Sequence, residues 1–182
     1  MGRNTVSTSS YSSLRHLVAL PYPGRGHINP MMNLCRALSS ASPYLLITFV
    51  VTDEWLSLID RSPLASIPDN LLFSTIPNVI PSESTRGNDF LGFLEAVMTK
   101  MEAPLEQLLD GFQQSQPAPS LLLFDTCLWW VVGVGARRGI PVASFWTQSS
   151  ARLLQQLRLL LRPGTNGSTE TAPMLLYFLG WF

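Results

Sequence analysis

The fold is decided by the stretch LVALPYPGRGHINPMMNLCRAL, which runs from Leu17 to Leu38. The apolar run His16–Pro21 predicts a buried strand, and the turn that follows it contains Gly24 and Gly26. Asn29 followed by Pro30 predicts that a helix begins there and extends to about Ser39, because Asn is a favoured N-cap and Pro fits the first helical turn. A strand, a glycine turn and a helix in this order are typical of parallel α/β sheets.

The rest of the chain repeats this alternation of apolar strands and amphipathic helices. Further strands are predicted over Leu45–Val51, Leu71–Ile76, Leu121–Phe124 and Pro141–Phe145, and further helices over Asp53–Asp60, about 89–112, about 128–138 and about 149–162. Pro104 is expected to kink the helix over 89–112, because it lacks a backbone donor. Strands that are apolar throughout indicate a doubly wound parallel sheet covered on both faces, for which 3-2-1-4-5 is a common strand order.

One domain is expected over residues 15–162, between two segments of different composition. Residues 1–14 are rich in Ser and Thr, which predicts a disordered tail. Residues 163–182 are polar and then strongly aromatic, and we interpret them as an atypical tail of the kind that truncation or altered splicing produces. No apolar run reaches the roughly 18–20 residues of a membrane helix, so no stable membrane insertion is expected.

The composition excludes several classes of protein. Hydrophobic residues make up 46% and charged residues 13% of the 182 residues, unlike a disordered, highly charged chain. Twelve basic residues balance twelve acidic ones, so neither nucleic acid nor an anionic membrane surface is an expected partner. Cys35 and Cys127 lie far apart and in no metal-ligand spacing. Reduced thiols are therefore predicted, which favours a cytoplasmic protein. No bound metal is expected, because the chain has only two histidines and neither lies near a Cys in the sequence.

Two residues stand where chemistry is expected in such a sheet. Ligands bind beyond the carboxyl ends of the strands, where the strand order reverses, here between the first and fourth strands. The first strand leads to His27 and the fourth to Asp125. A neutral imidazole accepts a proton near pH 7, and a carboxylate behind it fixes the tautomer. The structural alternative is that His27 only bonds the backbone and that Asp125 only caps the next helix. His16 is at the other end of the first strand, where a structural role is expected.

The glycine turn departs from the dinucleotide-binding pattern G-x-G-x-x-G, because Asn29 stands where the third glycine would. The stretch Leu17–Leu38 instead resembles the amino-terminal signature of plant family 1 UDP-glycosyltransferases, an apolar strand followed by P-x-x-G-x-G-H-x-x-P. The stretch Leu121–Ala151, LLLFDTCLWWVVGVGARRGIPVASFWTQSSA, is similar to later segments of that family. The resemblance covers roughly residues 14–151 and implies the amino-terminal, acceptor-binding half of a GT-B fold.

The resemblance also implies a reaction. It is an inverting, metal-free transfer from a UDP-sugar, with UDP-glucose expected, to the hydroxyl of a small plant metabolite such as a flavonol or a phenol. His27 would deprotonate that hydroxyl, and Asp125 would balance the charge on the imidazole. The backbone at Gly26 would lie near the donor phosphates, and Thr147 would lie near the donor sugar. No cofactor besides the UDP-sugar co-substrate is implied.

Candidate acceptor contacts are three aromatic residues and one loop. They are Phe90, Trp129, Trp130 and the loop Pro81–Asn88. Core packing is the open alternative for Phe90 and Trp130, and Trp146 is expected in the core.

The family's carboxyl-terminal signature, which holds the UDP-sugar, is missing from the chain. We therefore expect little or no transferase activity from the chain alone, because half a cleft does not orient the donor for in-line attack. Two other interpretations stay open. One is a non-catalytic acceptor-binding module or an incomplete gene model, and the other is a different sugar-nucleotide enzyme such as an epimerase.

Overall fold

The structure is a computed structural model that describes residues 14–59, 67–115 and 117–160. The chain divides into two compact units, with the boundary between Phe145 and Trp146. The predicted tail at residues 163–182 lies outside the described residues, as does the predicted tail at residues 1–14 except for Leu14. Both tails therefore stay predictions.

Five parallel strands form one sheet in the first unit. They are β1 (Arg15–Leu20), β2 (Leu45–Thr52), β3 (Leu71–Ile76), β4 (Pro119–Asp125) and β5 (Val142–Phe145). Their order across the sheet is β3-β2-β1-β4-β5, so β1 is central and pairs with β2 and β4. The predicted α/β class and strand order are confirmed. Because β1 and β4 are parallel neighbours, the residues that follow them meet at the same edge of the sheet.

Helices alternate with the strands along the chain. They are α1 (Arg25–Ala41), α2 (Asp53–Leu58), α3 (Phe90–Thr99), α4 (Glu102–Gln113) and α5 (Val131–Arg138), with α6 (Ser150–Leu160) in the second unit. On one face, Leu17 and Ala19 of β1 belong to a buried cluster with Met31 of α1. The alternate residues Val18 and Leu20 are equally buried. Burial of both sets explains why the strands are apolar throughout instead of alternating with polar residues.

The start of α1 differs from the prediction. The helix begins at Arg25 and not at Asn29, with Gly24 in extended conformation before it (φ −173°, ψ 143°). The Gly24 carbonyl accepts two backbone N–H groups of the next turn, each at 2.9 Å, and this closes the turn before Pro30 is reached. Pro30 lies inside the helix, where it removes one backbone hydrogen bond. His27 consequently lies in the first turn of α1 and not in a loop.

The predicted helix over 89–112 is two helices in the structure. Asp89 caps α3, and its Oδ1 accepts the Gly92 N–H at 2.9 Å. The first helix ends at Thr99 and α4 begins at Glu102, with Pro104 as its third residue. A proline ring clashes with the carbonyl four residues earlier, which here falls in the break. The prediction of a kink within one continuous helix was therefore wrong.

Two other helix starts also differ from the prediction. Thr52, and not Asp53, caps α2, because its Oγ1 accepts the Trp55 N–H at 3.3 Å. The fifth helix begins at Val131 and not at Leu128, because residues 126–130 form hydrogen-bonded turns. The turn between β4 and α5 is therefore longer than predicted. It follows directly after Asp125, the last residue of β4.

Candidate active site

His27 and Asp125 meet at the carboxyl edge of the two central strands. His27 lies in the first turn of α1, which follows β1, and Asp125 is the last residue of β4. The His27 Nδ1 atom is 2.7 Å from Asp125 Oδ2, and the side chains are 3% and 1% exposed. The structure thus brings together the two residues that the strand pattern selected, although 98 positions separate them.

The chemistry of the two groups assigns the proton between His27 and Asp125. An ionised carboxylate only accepts hydrogen bonds, so the imidazole donates from Nδ1. This leaves Nε2 as the ring nitrogen that can take up a proton. Because both side chains are buried, the hydrogen bond between them is electrostatically stronger than the same bond would be in water. The pair thus has the geometry of a general base with an orienting carboxylate, and its catalytic roles stay predictions.

Cys127 holds the Asp125 carboxylate in place. The Cys127 backbone N–H donates to Asp125 Oδ1 at 3.0 Å, and the Cys127 thiol also hydrogen-bonds this carboxylate. Burial, and then the charge of Asp125, raises the pKa of the Cys127 thiol, so the thiol keeps its proton. Asp125 therefore binds a turn amide through one oxygen and His27 through the other. It does not cap α5, which begins only at Val131.

Tyr22 packs beside His27. Its ring centroid is 5.0 Å from that of His27 and 6.2 Å from that of Phe93. Burial raises the pKa of the Tyr22 phenol, Cys127 raises it further, and the Arg86 cation opposes the shift. The phenol therefore stays neutral at physiological pH and gives His27 an uncharged, rigid neighbour.

Arg86 lies in the segment between β3 and α3 and contacts the turn before α1. Its Nη1 atom donates to the Pro23 carbonyl, in the turn before α1, at 3.4 Å. The guanidinium lies 5.3 Å from the centroid of the Phe93 ring and forms an ion pair with Glu83 at 2.8 Å. The sequence interpretation selected the loop Pro81–Asn88 without singling out this residue. No local signal marks it, because its carbonyl partner is 63 positions away.

The same segment is anchored to α2 by Glu54. The Glu54 carboxylate accepts the Ser82 hydroxyl at 2.5 Å and the Glu83 N–H at 3.2 Å. The Glu54 backbone N–H donates to the Asn78 side chain at 2.8 Å. With the contact of Arg86, these hydrogen bonds fix residues 78–86, which we call the strap, between α2 and the turn before α1.

The two predicted donor contacts lie in different units. Gly26 is the second residue of α1 and is exposed, and a Cβ placed on it would meet nothing within 4 Å. This open space allows a ligand to approach the helix backbone. Thr147 belongs to the second unit. Both donor-binding roles stay predictions.

The predicted acceptor contacts differ in their exposure. Trp129 is 57% exposed, Phe90 is half-buried and Trp130 is 5% exposed. Trp130 Nε1 has no hydrogen-bond partner among the described residues. In the second unit, half-buried Trp146 donates from Nε1 to the Ser149 carbonyl at 3.2 Å. Low exposure agrees with the core alternative for Trp130, and the acceptor-binding roles stay predictions.

His16 has the structural surroundings that its position suggested. It is buried in β1, and its Nδ1 lies 3.0 Å from the Pro117 carbonyl. Its Nε2 lies 2.8 Å from the Thr48 hydroxyl. Asp125 ends β4, whereas His16 pairs with its first residue, Pro119, so the two histidines lie towards opposite ends of the sheet.

Two plant proteins are similar to this chain over most of its length. UDP-glycosyltransferase 87A2 of Arabidopsis thaliana is 53% identical over 142 residues, which are 78% of this chain and 30% of the relative. UDP-glycosyltransferase 87A1 of the same plant is 51% identical over 134 residues, which are 74% of this chain and 29% of the relative. The chain belongs to the plant UDP-glycosyltransferases.

Solved structures of other UDP-glycosyltransferases share the fold. Os79 from O. sativa, crystallised with U2F and a trichothecene, matches 88% of this chain and 36% of its own length, with a TM-score of 0.68 and 24% identity. UGT71G1 from Medicago truncatula, crystallised with UDP-glucose, matches 81% of this chain and 32% of its own length, with a TM-score of 0.63 and 21% identity. At this identity the likeness shows the fold alone, and it agrees with the Rossmann-like sheet that the sequence predicted.

The match to the UDP-glycosyltransferases is partial in length. The chain spans about 30% of the curated relatives it matches. No protein-family model matches the chain. Within the described part of the chain, none of the helices has both the length and the apolar character that crossing a bilayer requires. The relatives are enzymes by name.

Proposed function

We propose that this chain is the acceptor-binding domain of an inverting, UDP-sugar-dependent O-glycosyltransferase. Its acceptor is a small plant metabolite such as a flavonol or a phenol, and its donor is UDP-glucose. The observation that carries the proposal is the buried 2.7 Å contact between His27 Nδ1 and Asp125 Oδ2. Membership of the UDP-glycosyltransferases supports it, since the relatives are named for this class of transfer.

The proposed reaction needs one base and one leaving group. Nε2 of His27 takes the proton of the acceptor hydroxyl while the acceptor oxygen bonds to the anomeric carbon of the sugar. The bond between that carbon and the UDP oxygen breaks, so the configuration inverts and UDP leaves with the electron pair. Asp125 stabilises the imidazolium that forms. A positioned base of this kind contributes about 10²- to 10⁴-fold in rate.

The donor diphosphate is proposed to lie beside the amino terminus of α1. The exposed backbone at Gly26 supports this placement, because the amino terminus of a helix favours negative charge and no side chain fills the space beside Gly26. The same favourable charge would assist departure of UDP without a metal. Thr147 is proposed to contact the donor sugar.

The acceptor is proposed to lie over His27, bordered by the strap and by the half-exposed Trp129. Phe90 and Trp130 are the remaining proposed contacts. A cytoplasmic location is also proposed, supported by the free thiols of Cys35 and Cys127.

The chain by itself is proposed to have little transferase activity. It spans about 30% of its curated relatives, and transfer requires that donor and acceptor be held together in one geometry. The chain should bind an acceptor phenol in calorimetry, yet form no glycoside when UDP-glucose is added. Robust turnover by the isolated chain would overturn this part of the proposal.

The catalytic proposal is tested in a chimera, in which residues 14–145 replace the corresponding residues of the 53%-identical Arabidopsis relative. His27→Gln should lower kcat by about 10²- to 10⁴-fold, because the base is removed. His16→Gln is the matched control, since His16 lies away from Asp125. It should change stability and leave kcat within a few-fold. Turnover of the His27→Gln chimera within tenfold of the parent would refute the role of His27.

A further inference from the structure

A thiol lies beside the His27–Asp125 pair and neither donates nor accepts a proton in the proposed transfer. One ligand-type atom from each of His27, Asp125 and Cys127 lies within 4.8 Å of the others. Cys127 is only half-buried, whereas the other two are buried. Cys127 is therefore the most exposed member of the cluster. We call these three residues the His–Asp–Cys cluster.

We propose that the His–Asp–Cys cluster binds a borderline divalent metal ion, with Zn²⁺ as the physiological candidate, and that this ion inhibits the transferase. Zn²⁺ is bound in proteins by imidazole nitrogen, carboxylate oxygen and thiolate sulfur, which are the three atoms present here. A thiolate and a carboxylate together neutralise the charge of the ion. Neutrality matters because an uncompensated charge in this buried place would be costly.

The distances require small movements only. Zinc bonds of about 2.0 Å to nitrogen and about 2.3 Å to sulfur place tetrahedral ligand atoms roughly 3.3–3.6 Å apart. The present 2.7 Å between His27 Nδ1 and Asp125 Oδ2 would widen, and any separation near 4.8 Å would shorten. The fourth position stays open for water or for another ligand.

Metal binding would disable the base by moving a proton. The ion takes the Nδ1 lone pair of His27, so the ring proton resides on Nε2 and the imidazole stays neutral. The Cys127 thiol releases its proton to solvent and binds as thiolate, while Asp125 binds as carboxylate. Nε2 then donates a proton and no longer accepts one. Inhibition therefore rests on the proposed role of His27, whereas binding itself does not.

The ligand set also predicts which ions would not bind. Mg²⁺ and Ca²⁺ prefer oxygen ligands, and the cluster offers a single carboxylate beside one nitrogen and one sulfur. The cluster is therefore distinct from a Mg²⁺ site that would serve a nucleotide diphosphate. An excess of Mg²⁺ should not displace Zn²⁺.

Binding is tested on the full 182-residue chain with Co²⁺, a coloured substitute for Zn²⁺. One equivalent should bind with a near-ultraviolet thiolate-to-cobalt band and tetrahedral visible bands, both abolished by Zn²⁺. Cys127→Ala should abolish the thiolate band. Cys35→Ala is the matched control, because these are the two cysteines of the chain and Cys35 is buried in the core. His27→Gln should weaken binding by at least about tenfold.

X-ray absorption of the zinc-loaded chain supplies a second measurement that does not depend on the variants. It should show one sulfur and two nitrogen or oxygen protein ligands. A thiolate band that survives Cys127→Ala, or a zinc shell without sulfur, would overturn the proposal. Zinc binding without inhibition of the chimera would refute the role of His27 and leave the metal site standing. Absence of binding together with a large His27→Gln effect would refute the metal site alone.

Discussion

The Arg86 guanidinium donates to the Pro23 carbonyl at 3.4 Å and so ties the strap to the turn from which α1 and His27 begin. Glu54 holds the other end of the same strap through Ser82 and Glu83. The strap is thus fixed at two points. With the acceptor placed beside the strap as proposed, acceptor affinity is expected to depend on Arg86, which takes no part in proton transfer.

Arg86→Ala should raise the acceptor KM of the chimera by about 2- to 10-fold, as expected for loss of one hydrogen bond of about 0.5–1.5 kcal/mol. The chemical step should change less, because His27 and Asp125 keep their contact. Arg86→Lys should recover part of the loss. Arg15→Ala, at the exposed amino end of β1, is the control. A fall in kcat with unchanged KM would contradict the assignment of Arg86 to acceptor positioning.

Asp125→Asn should lower kcat of the chimera by about 10²- to 10⁴-fold, with the fold intact. An amide can donate to Nδ1, which favours the tautomer with its proton on Nε2 and so removes the basic lone pair. Initial rates over a range of acceptor concentrations measure the effect. Asp69→Asn, an exposed carboxyl before β3, should leave the rates unchanged. If Asp125→Asn turns over like the parent, the carboxylate is structural.

Two helical glycines should respond in opposite directions to alanine. A Cβ at Gly26 meets nothing within 4 Å, so Gly26→Ala should stabilise the domain by up to about 1 kcal/mol through helix propensity. A Cβ at Gly135 would lie 2.2 Å from Val142 Cγ1 and 2.8 Å from the Ile140 carbonyl oxygen. Gly135→Ala should therefore destabilise by about 1–3 kcal/mol. Urea unfolding of the chain measures both, and shifts of the same sign would contradict the packing of α5 on β5.

His16 should make the domain less stable at mildly acidic pH. Burial lowers the pKa of His16 from its ordinary 6.5, against the raising effect of the hydrogen bond with the Pro117 carbonyl. Below pH 6.5 the unfolded chain binds a proton that the folded chain does not, so stability falls until the lowered folded pKa is reached. Urea midpoints at about pH 7.5 and about pH 5.5 should differ more for the parent than for His16→Gln. An equal difference in both proteins would assign the acid sensitivity to other groups.

The strands could be predicted because their signal is local, and their order could be predicted because 3-2-1-4-5 is common in doubly wound sheets. Leu71–Ile76 was predicted with the limits that the structure shows, since an apolar run between turn residues fixes a buried strand. Helix starts were predicted less well. Asn29-Pro30 carries the local pattern of a helix start. In the structure, however, the Gly24 carbonyl accepts hydrogen bonds from the backbone N–H groups of His27 and Ile28, and α1 therefore begins at Arg25. Such competition is decided by backbone geometry and not by residue type alone.

The sequence by itself determined the sheet, and it selected His27 and Asp125, because the end of a parallel strand is a position that can be counted along the chain. Only the tertiary structure decided what surrounds them. Tyr22 and Cys127 enter the site through local contacts that depend on side-chain direction, whereas Arg86 enters it from the strap. Residue spacing carries no information on the contact between Arg86 and the Pro23 carbonyl, 63 positions away, since its free energy arises only once distant segments are packed together.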